Sequence, residues 1–127
     1  MQGKHLYEYA IIRLMPRVER GEFLNIGVIL YCKPKKFLRL KFVLNVDRLR
    51  VFGDELDLDD LRTYLQAIER ICQGDKTAGP IAGLDLPSRF RWLTATRSTI
   101  LQTSRSHAGF CDDPQQTMER LFVEYVL

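Results

Sequence analysis

Cysteine, histidine and long apolar runs are all scarce in this chain of 127 residues. Its three cysteines, Cys32, Cys72 and Cys111, lie 40 and 39 positions apart, which matches neither a disulfide framework nor a CxxC zinc knuckle. The two histidines, His5 and His107, are too few for a histidine-rich metal site. We therefore expect reduced thiols, no metal ion and no bound cofactor.

Apolar segments are also too short to cross a membrane. The stretch over 26–32 is among the longest, whereas a transmembrane helix needs about 20 predominantly apolar residues. The first residues contain no apolar core that ends in a small-residue cleavage site, because Glu8 interrupts the apolar stretch there. We expect a cytoplasmic protein that does not associate with a membrane.

The overall composition is that of an ordinary globular domain. Hydrophobic residues make up 46% and charged residues 28% of the chain, which argues against a disordered or low-complexity protein. A domain typically holds about 100–200 residues, so the chain has room for one core but not for two. We predict a single domain over residues 1–127.

Alternating and β-branched residues predict three strands, over 6–15, 22–32 and 37–44. The short connections, with Gly21 in the first and Pro34 in the second, favour an antiparallel meander. The strand over 6–15 is apolar at both sets of alternating positions, which is typical of a central strand. The strand over 37–44 is apolar at every second position, which predicts one covered face.

Two helices are expected over 58–72 and 114–126, with Asp57 and Asp113 as their N-caps. The segment 89–95 fits a short helix or a strand, 99–104 fits a strand, and 73–87 and 104–113 are predicted to be loops. Strands followed by helices predict a two-layer α+β sandwich with a mainly antiparallel sheet, an N-terminal three-stranded meander and two main covering helices.

Positive charge is concentrated in the first half of the chain. Residues 1–53 contain eleven Lys or Arg against four Asp or Glu, a balance of +7, although the whole chain carries only +3. A cluster in the second turn and third strand contains Lys33, Lys35, Lys36, Arg39 and Lys41. These residues either present a positive face to phosphate or to an acidic protein, or form the solvated side of a turn and an edge strand. We favour the second interpretation, and expect Lys33, Lys35 and Lys36 to be dispensable for binding a partner.

The first candidate binding group surrounds the first strand connection and contains Arg13, Arg20, Glu22 and Asn25. Asn25 interrupts an apolar strand, and a buried amide needs hydrogen-bond partners. It is predicted on the same face as Phe23 and Ile29. There it either hydrogen-bonds the neighbouring backbone or pins a bulge beside Gly27, or else holds a ligand or orients Arg13 or Glu22.

The second candidate group is rich in hydroxyl and guanidinium side chains, which can cradle an anion. The alternative is a polar strand flanked by capping loops. Neither group contains a recognisable catalytic or phosphate-loop motif. Glu22 and His107 are the only candidates we name for moving a proton. The binding candidates of the second group are Arg97, Ser98, Gln102, Ser104 and His107.

Two blocks of the sequence share a pattern with a known family. They are YEYAIIRLMPRVERGEFLNIGVILYC near the start and RFRWLTATRSTILQTSRSHAGFCDDP before the terminal helix. In these blocks the chain resembles the bacterial family called domain of unknown function 3037, over essentially its whole length. The positions that carry the resemblance are Tyr7, Tyr9, Arg13, Pro16, Arg20, Glu22, Phe23, Asn25, Gly27 and Val28, and then Phe90, Trp92, Leu93, Arg97, Ser98, Gln102, Thr103 and His107.

The resemblance implies a genomic association with a HipA-like kinase but no reaction and no catalytic residue. We therefore expect an accessory module that binds or regulates such a kinase, in a toxin–antitoxin-like or regulatory pair. The alternatives are a phosphate-handling enzyme and a nucleic-acid-binding protein that uses the basic meander and its aromatic residues. Because both blocks carry the resemblance, we also expect Arg97 to converge with Arg20, Glu22 or Asn25 in one groove.

Overall fold

The computed structural model describes residues 3–16, 20–50, 56–95 and 100–127 of the chain. Within these residues the fold is α+β, as predicted, and its principal elements fall within two residues of the predicted ends. The strands are β1 (His5–Leu14), β2 (Leu24–Cys32), β3 (Phe37–Phe42), β4 (Leu101–Thr103) and β5 (His107–Cys111). The helices are α1 (Val46–Leu49), α2 (Leu58–Gln73), α3 (Leu86–Leu93) and α4 (Pro114–Tyr125).

The strands form one antiparallel sheet in the order β3-β2-β1-β4, with β5 paired to β1 on the same side as β4. The predicted meander of the first three strands is confirmed, and so is the central position of β1. β5 pairs with the first half of β1 and β4 with the second half. β3 is consequently the edge strand on the opposite side of the sheet.

Helices cover both faces of the sheet, so the predicted two-layer arrangement is wrong and the described part of the chain has three layers. Helices α2 and α3 pack on the face that contains Ile12 and Leu14 of β1, whereas α4 packs on the face that contains Ile11. The reason is visible in β1 and β2, where both sets of alternating side chains are apolar and each set needs a covering layer.

Local capping signals identify the helix boundaries well. The Asp57 side chain accepts a hydrogen bond from Asp60 N at 3.1 Å and starts α2, and the Asp113 side chain accepts one from Gln115 N at 3.0 Å and starts α4. The ambiguous segment 89–95 belongs to a helix, because Asp85 caps α3 by accepting from Ser88 N at 2.9 Å. That third cap places the start of α3 inside the segment predicted to be a loop over 73–87.

The predicted loop over 104–113 is also wrong in part, because β5 occupies half of it. Pairing with the free side of β1 satisfies the backbone hydrogen bonds of residues 107–111. These residues include few strong strand formers, so the sequence pattern does not reveal the strand. Gly109 makes this pairing compatible with the aromatic ring of Tyr7. A Cβ atom at Gly109 would lie 2.7 Å from Tyr7 Oη.

A β-bulge interrupts the pairing of β1 with β2. Ile12 lies opposite Gly27 and Arg13 lies opposite Asn25, so Ile26 has no partner on β1. The bulge expected beside Gly27 is therefore confirmed. The extra residue reverses the alternation of side chains between the two faces of the sheet in β2. It therefore decides the face on which the Asn25 side chain lies.

None of the helices in the described ranges is long and apolar enough to cross a membrane.

Candidate functional site

Three polar side chains form a row across the sheet, on the face that α4 covers in part. Arg13 of β1 lies between Asn25 of β2 and Gln102 of β4 in the strand register. Arg13 is two positions from Ile11, which is buried against α4, so both side chains lie on that face. This polar row brings together two residues of the first predicted group and one of the second.

Asn25 lies at the end of α4. Its Nδ2 donates to Tyr125 O at 3.0 Å, which satisfies one of the last carbonyl groups of the helix. The prediction that Asn25 shares a face with Ile29 is wrong, because Ile29 packs in the core under α2 and α3. The bulge at Ile26 is the cause.

The polar row retains hydrogen-bonding capacity that the described residues do not use. Arg13 Nε and Asn25 Oδ1 are both buried, and neither has a partner among the residues that the structure describes. The Arg13 guanidinium lies over the ring of Phe23, with Cζ 4.6 Å from the ring centroid. A buried donor and a buried acceptor on paired residues form a place where water or a small polar ligand can bind.

An aromatic cluster of Tyr9, His107 and Tyr125 adjoins this row on the same face. The ring of Tyr9 lies 5.4 Å from the ring of His107 and 6.2 Å from that of Tyr125, measured between centroids. Burial and a hydrogen bond with the Tyr125 side chain raise the pKa of Tyr9 to about 12. His107 is exposed at the start of β5, so the structure places it on a strand and not in a loop.

Ser104 is a buried residue that bonds to backbone. Its hydroxyl accepts a hydrogen bond from Ile11 N at 2.9 Å and donates one to Arg105 O at 2.9 Å. The side chain is thus used to join β1 to the segment that follows β4. Its predicted role in binding a ligand stays a prediction.

Two predicted residues form an exposed ion pair. Arg20 Nε lies 2.5 Å from Glu22 Oε1, and the side chains are 59% and 53% exposed. Their charges compensate each other in solvent. Arg97 and Ser98 lie outside the described residues, so the expected convergence of Arg97 with Arg20, Glu22 or Asn25 stays untested. Of the second candidate group, Gln102 is the residue that the structure pairs with Arg13.

A second candidate site, which the sequence reasoning missed, lies along the outer edge of β3. A groove of about 770 Å³ follows residues 35–41, between α2 on one side and α4 on the other. We call it the edge groove. Its walls are formed by Glu69, Cys72 and Gln73 of α2, by Gln115, Met118 and Glu119 of α4, and by Leu86 and Arg89 of α3.

The edge groove is rich in positive charge. Two cationic side chains from β3 are attached to the α4 wall, because Lys41 forms an ion pair with Glu119 and Arg39 donates to Gln115 Oε1 at 3.4 Å. The hydrogen bond from Lys41 lowers the pKa of Glu119 below its ordinary value. Lys35 and Lys36, at the turn before β3, line one end of the groove. The edge position predicted for these cations is confirmed.

A family comparison decides which group of proteins the chain belongs to. The model of the family described as "Protein of unknown function (DUF3037)" matches residues 9–126 of the 127. The chain belongs to this family. Neither the curated proteins nor the solved structures compared with the chain contain a match.

The DUF3037 match includes both candidate sites, since the polar row and the edge groove lie within residues 9–126. In the parts of the chain that the structure describes, no group of three or more His, Cys, Asp or Glu side chains is arranged to hold a metal ion.

A sequence signal for the edge groove exists, although it is incomplete. Cationic residues alternate with Leu38 and Leu40 in β3, which is typical of an edge strand with one face on the core. The groove itself requires walls on both faces of that edge. These walls come from α2 and α4, and their placement on opposite faces cannot be read from the sequence pattern.

Proposed function

We propose that this chain is a small cytoplasmic binding module that docks on a partner protein and carries out no reaction of its own. The candidate partner is a HipA-like kinase, in a toxin–antitoxin-like or regulatory pair. The resemblance of the two sequence blocks supplies this candidate. The observation that carries the proposal of protein binding is the open edge of β3, at the base of the edge groove.

An edge strand presents a row of unpaired backbone groups, and proteins commonly cover such a row with a helix or a loop. In the described part of the chain, α2 and α4 pack on the two faces beside β3 and leave its edge as the floor of a groove. An accessible backbone edge between two walls is a feature that other polypeptides recognise.

The alternative of an enzyme has less support from the geometry. Glu22 is paired with Arg20 in solvent, and the ring of His107 packs beside Tyr9. General acid–base catalysis needs a group held within hydrogen-bonding reach of the proton that it moves. No contact within the described ranges joins Glu22 to His107.

The direct test is calorimetric titration of the purified chain with a purified HipA-like kinase, at about 0.15 M salt. We expect a saturable complex. A pull-down with mass spectrometry extends the test to other proteins. The proposal is wrong if the kinase does not bind and if no protein is retained specifically at that salt concentration.

A second candidate function, the binding of a small anion, is favoured by the unpartnered Arg13 Nε in the polar row. A guanidinium group can donate two parallel hydrogen bonds to a phosphate. Titration with inorganic phosphate and with nucleoside monophosphates tests it, with Arg13→Gln as the variant and Arg120→Gln as the control. Arg120 is exposed on α4 beside Glu124. Anion binding that is lost in R13Q and kept in R120Q supports this candidate, and absence of binding to the unmodified protein rejects it.

A further inference from the structure

We propose that the edge groove accepts an extended acidic segment of the partner protein, which adds to β3 as a further strand of the sheet. This inference rests on the proposed function and names the chemistry of the docking segment. The backbone of β3, the walls of the groove and the distribution of charge support it.

The backbone of β3 offers hydrogen bonds on its outer side. Val43 N donates to Ile26 O at 2.9 Å, so residues at every second position from Val43 direct their backbone groups toward β2. Leu38 and Leu40 belong to the other set and direct theirs toward the groove. An added strand can therefore form ladder bonds with Leu38 and Leu40 without displacing any bond of the existing sheet.

The walls of the groove suit a single extended chain. Leu38 and Leu40 point their side chains into the core under α2, whereas Arg39 and Lys41 contact α4. The side chains of an added strand alternate in the same way, with one set toward α2 and the other toward α4. The groove runs along residues 35–41, so its length matches a segment of about six residues, at ~3.3 Å each.

The charge of the groove selects an acidic segment. Among its lining residues five are cationic and two are acidic, a difference of three positive charges. The acidic Glu119 is already paired with Lys41, and Arg89 is used to bond the carbonyl groups of Ile71 and Cys72 at the end of α2. Lys35, Lys36 and Arg39 outnumber the remaining acidic lining residue, Glu69, and carboxylates on the added segment are their complement.

The same charge opposes pairing with a second copy of this chain. In an edge-to-edge dimer through β3, the cationic groups of the two copies would face each other. Like charges across strands are destabilising, and edge lysines are a common means of preventing such association. The lysines therefore oppose pairing with the cationic strand of a second copy and favour pairing with an acidic strand.

Capped synthetic peptides provide the probe. The acidic peptide has the repeating sequence Val-Glu over six residues, and the basic peptide has Lys in place of each Glu. In a fully N-methylated acidic peptide every amide hydrogen is replaced, so neither edge can donate to β3. Two half-methylated peptides, modified at the Val or at the Glu positions, each keep one edge free.

The readouts are calorimetric affinity and the amide resonances of the protein. We expect the acidic peptide to bind, to shift the amides of Leu38 and Leu40 and to slow their hydrogen exchange. Full methylation should weaken binding by about tenfold or more, and at least one half-methylated peptide should keep it. Equal affinity of the unmodified and fully methylated peptides, or tighter binding of the basic peptide, would overturn the inference.

The matched protein variants are Lys35→Glu with Arg39→Glu, and Lys33→Glu with Lys76→Glu as the control. All four side chains are exposed and both pairs change the net charge equally, but the control residues do not line the groove. We expect the first pair to weaken binding of the acidic peptide by about tenfold and the control pair to have little effect. Melting curves check that both variants fold.

The same variants separate this inference from the proposed function. If the HipA-like kinase binds the unmodified chain and K35E/R39E equally well, and the peptides do not shift Leu38 and Leu40, the partner docks elsewhere. In that case strand addition is wrong and the protein-binding module stands. If neither a protein partner nor the acidic peptide binds, both proposals fail. Loss of kinase binding in K35E/R39E but not in the control pair supports both, and it contradicts the expectation from the sequence that Lys35 is dispensable for binding a partner.

Discussion

Paired residues Arg13 and Asn25 show that neighbouring polar groups on one face of a sheet can serve different purposes. The Asn25 amide hydrogens bond the end of α4, and its oxygen lies buried beside β1 without a partner in the described part of the chain. The Arg13 guanidinium packs on Phe23 and leaves Nε buried and unpartnered. Because Asn25 stabilises α4 whether or not a ligand binds, Arg13 is the more informative position at which to test anion binding.

Ser104 is predicted to be a stabilising residue whose loss leaves a backbone group without a partner. In Ser104→Ala, the buried Ile11 N–H loses its acceptor. We expect the free energy of unfolding to fall by about 1–3 kcal/mol. Urea denaturation followed by fluorescence measures this change. The control is Ser106→Ala, at an exposed position two residues later, and equal stability of the two variants would contradict the assignment.

Tyr9 gives a prediction for alkaline pH. Its pKa is raised to about 12, whereas an unfolded tyrosine titrates near about 10. The folded state therefore binds the phenolic proton more tightly. The resulting stability is fully present below about pH 10 and is lost as the pH rises through about 12.

The tyrosinate absorbance of the unmodified protein minus that of Tyr9→Phe isolates this titration. Tyr125→Phe should lower the pKa of Tyr9, since it removes the hydrogen bond with the Tyr125 hydroxyl. Tyr64→Phe is the control, because Tyr64 is 47% exposed on α2. A Tyr9 phenol that titrates near 10 in the folded protein would contradict the prediction.

Among the elements, β3 has the most unusual position. It is held to the sheet on one side by β2, and it contacts α2 and α4 on its two faces. Among the described residues none covers its outer side, which faces a cationic groove. Three of its four sides thus contact other elements of the fold, which fixes the extended backbone that an added strand would pair with.

Gly27 is expected to determine how closely β3 approaches the bulged part of β2. A Cβ atom there would lie 2.9 Å from Lys41 O and 3.1 Å from Phe42 Cβ, so Gly27→Ala forces β3 outward. We expect a loss of about 1–3 kcal/mol in the free energy of unfolding. The measurement is urea denaturation.

Gly83→Ala is the matched control for that substitution, because no atom beyond its two chain neighbours lies within 4 Å of the added methyl group. If G27A proves as stable as G83A, the close approach of β3 to Gly27 is not a constraint. G27A should also weaken binding of the acidic peptide, since it displaces the strand on which the peptide is proposed to pair.

For the molecule as a whole, the charge is distributed unevenly, with +7 over residues 1–53 and +3 in total. Part of this charge is compensated by acidic residues from the second half of the chain, as in the pair Lys41–Glu119. The edge groove collects much of the remainder. Positive charge that is concentrated in a narrow groove favours an acidic polypeptide over a broad duplex, because a duplex needs a wide positive surface.

Salt dependence distinguishes these two classes of ligand. We expect binding of duplex DNA or RNA to be weak and to fall steeply with salt, with a log–log slope near about −0.9 for each phosphate contacted. Binding of the partner protein should survive about 0.15 M salt, because backbone and apolar contacts contribute to it. Gel shifts and calorimetry over a salt series measure both. Tight nucleic-acid binding that K35E/R39E abolishes, with no protein binding, would reverse the order of the proposals.

The sequence by itself determined the elements whose signals are local. Alternating apolar residues predicted β1 to β3, and the side chains of Asp57 and Asp113 marked the starts of α2 and α4. The doubly apolar pattern of β1 predicted its central position. Such features depend on residues close together in the chain, so periodicity and capping are sufficient to find them.

Only the tertiary structure decided the features that depend on distant residues. The bulge at Ile26 turned Asn25 toward α4, pairing with β1 made a strand of 107–111, and the helices divided between the two faces of the sheet. The edge groove exists because α2 and α4 meet β3 from opposite faces. A one-residue shift of register or a change of covering face leaves the local pattern unchanged, and the packing of the whole chain selects between such alternatives.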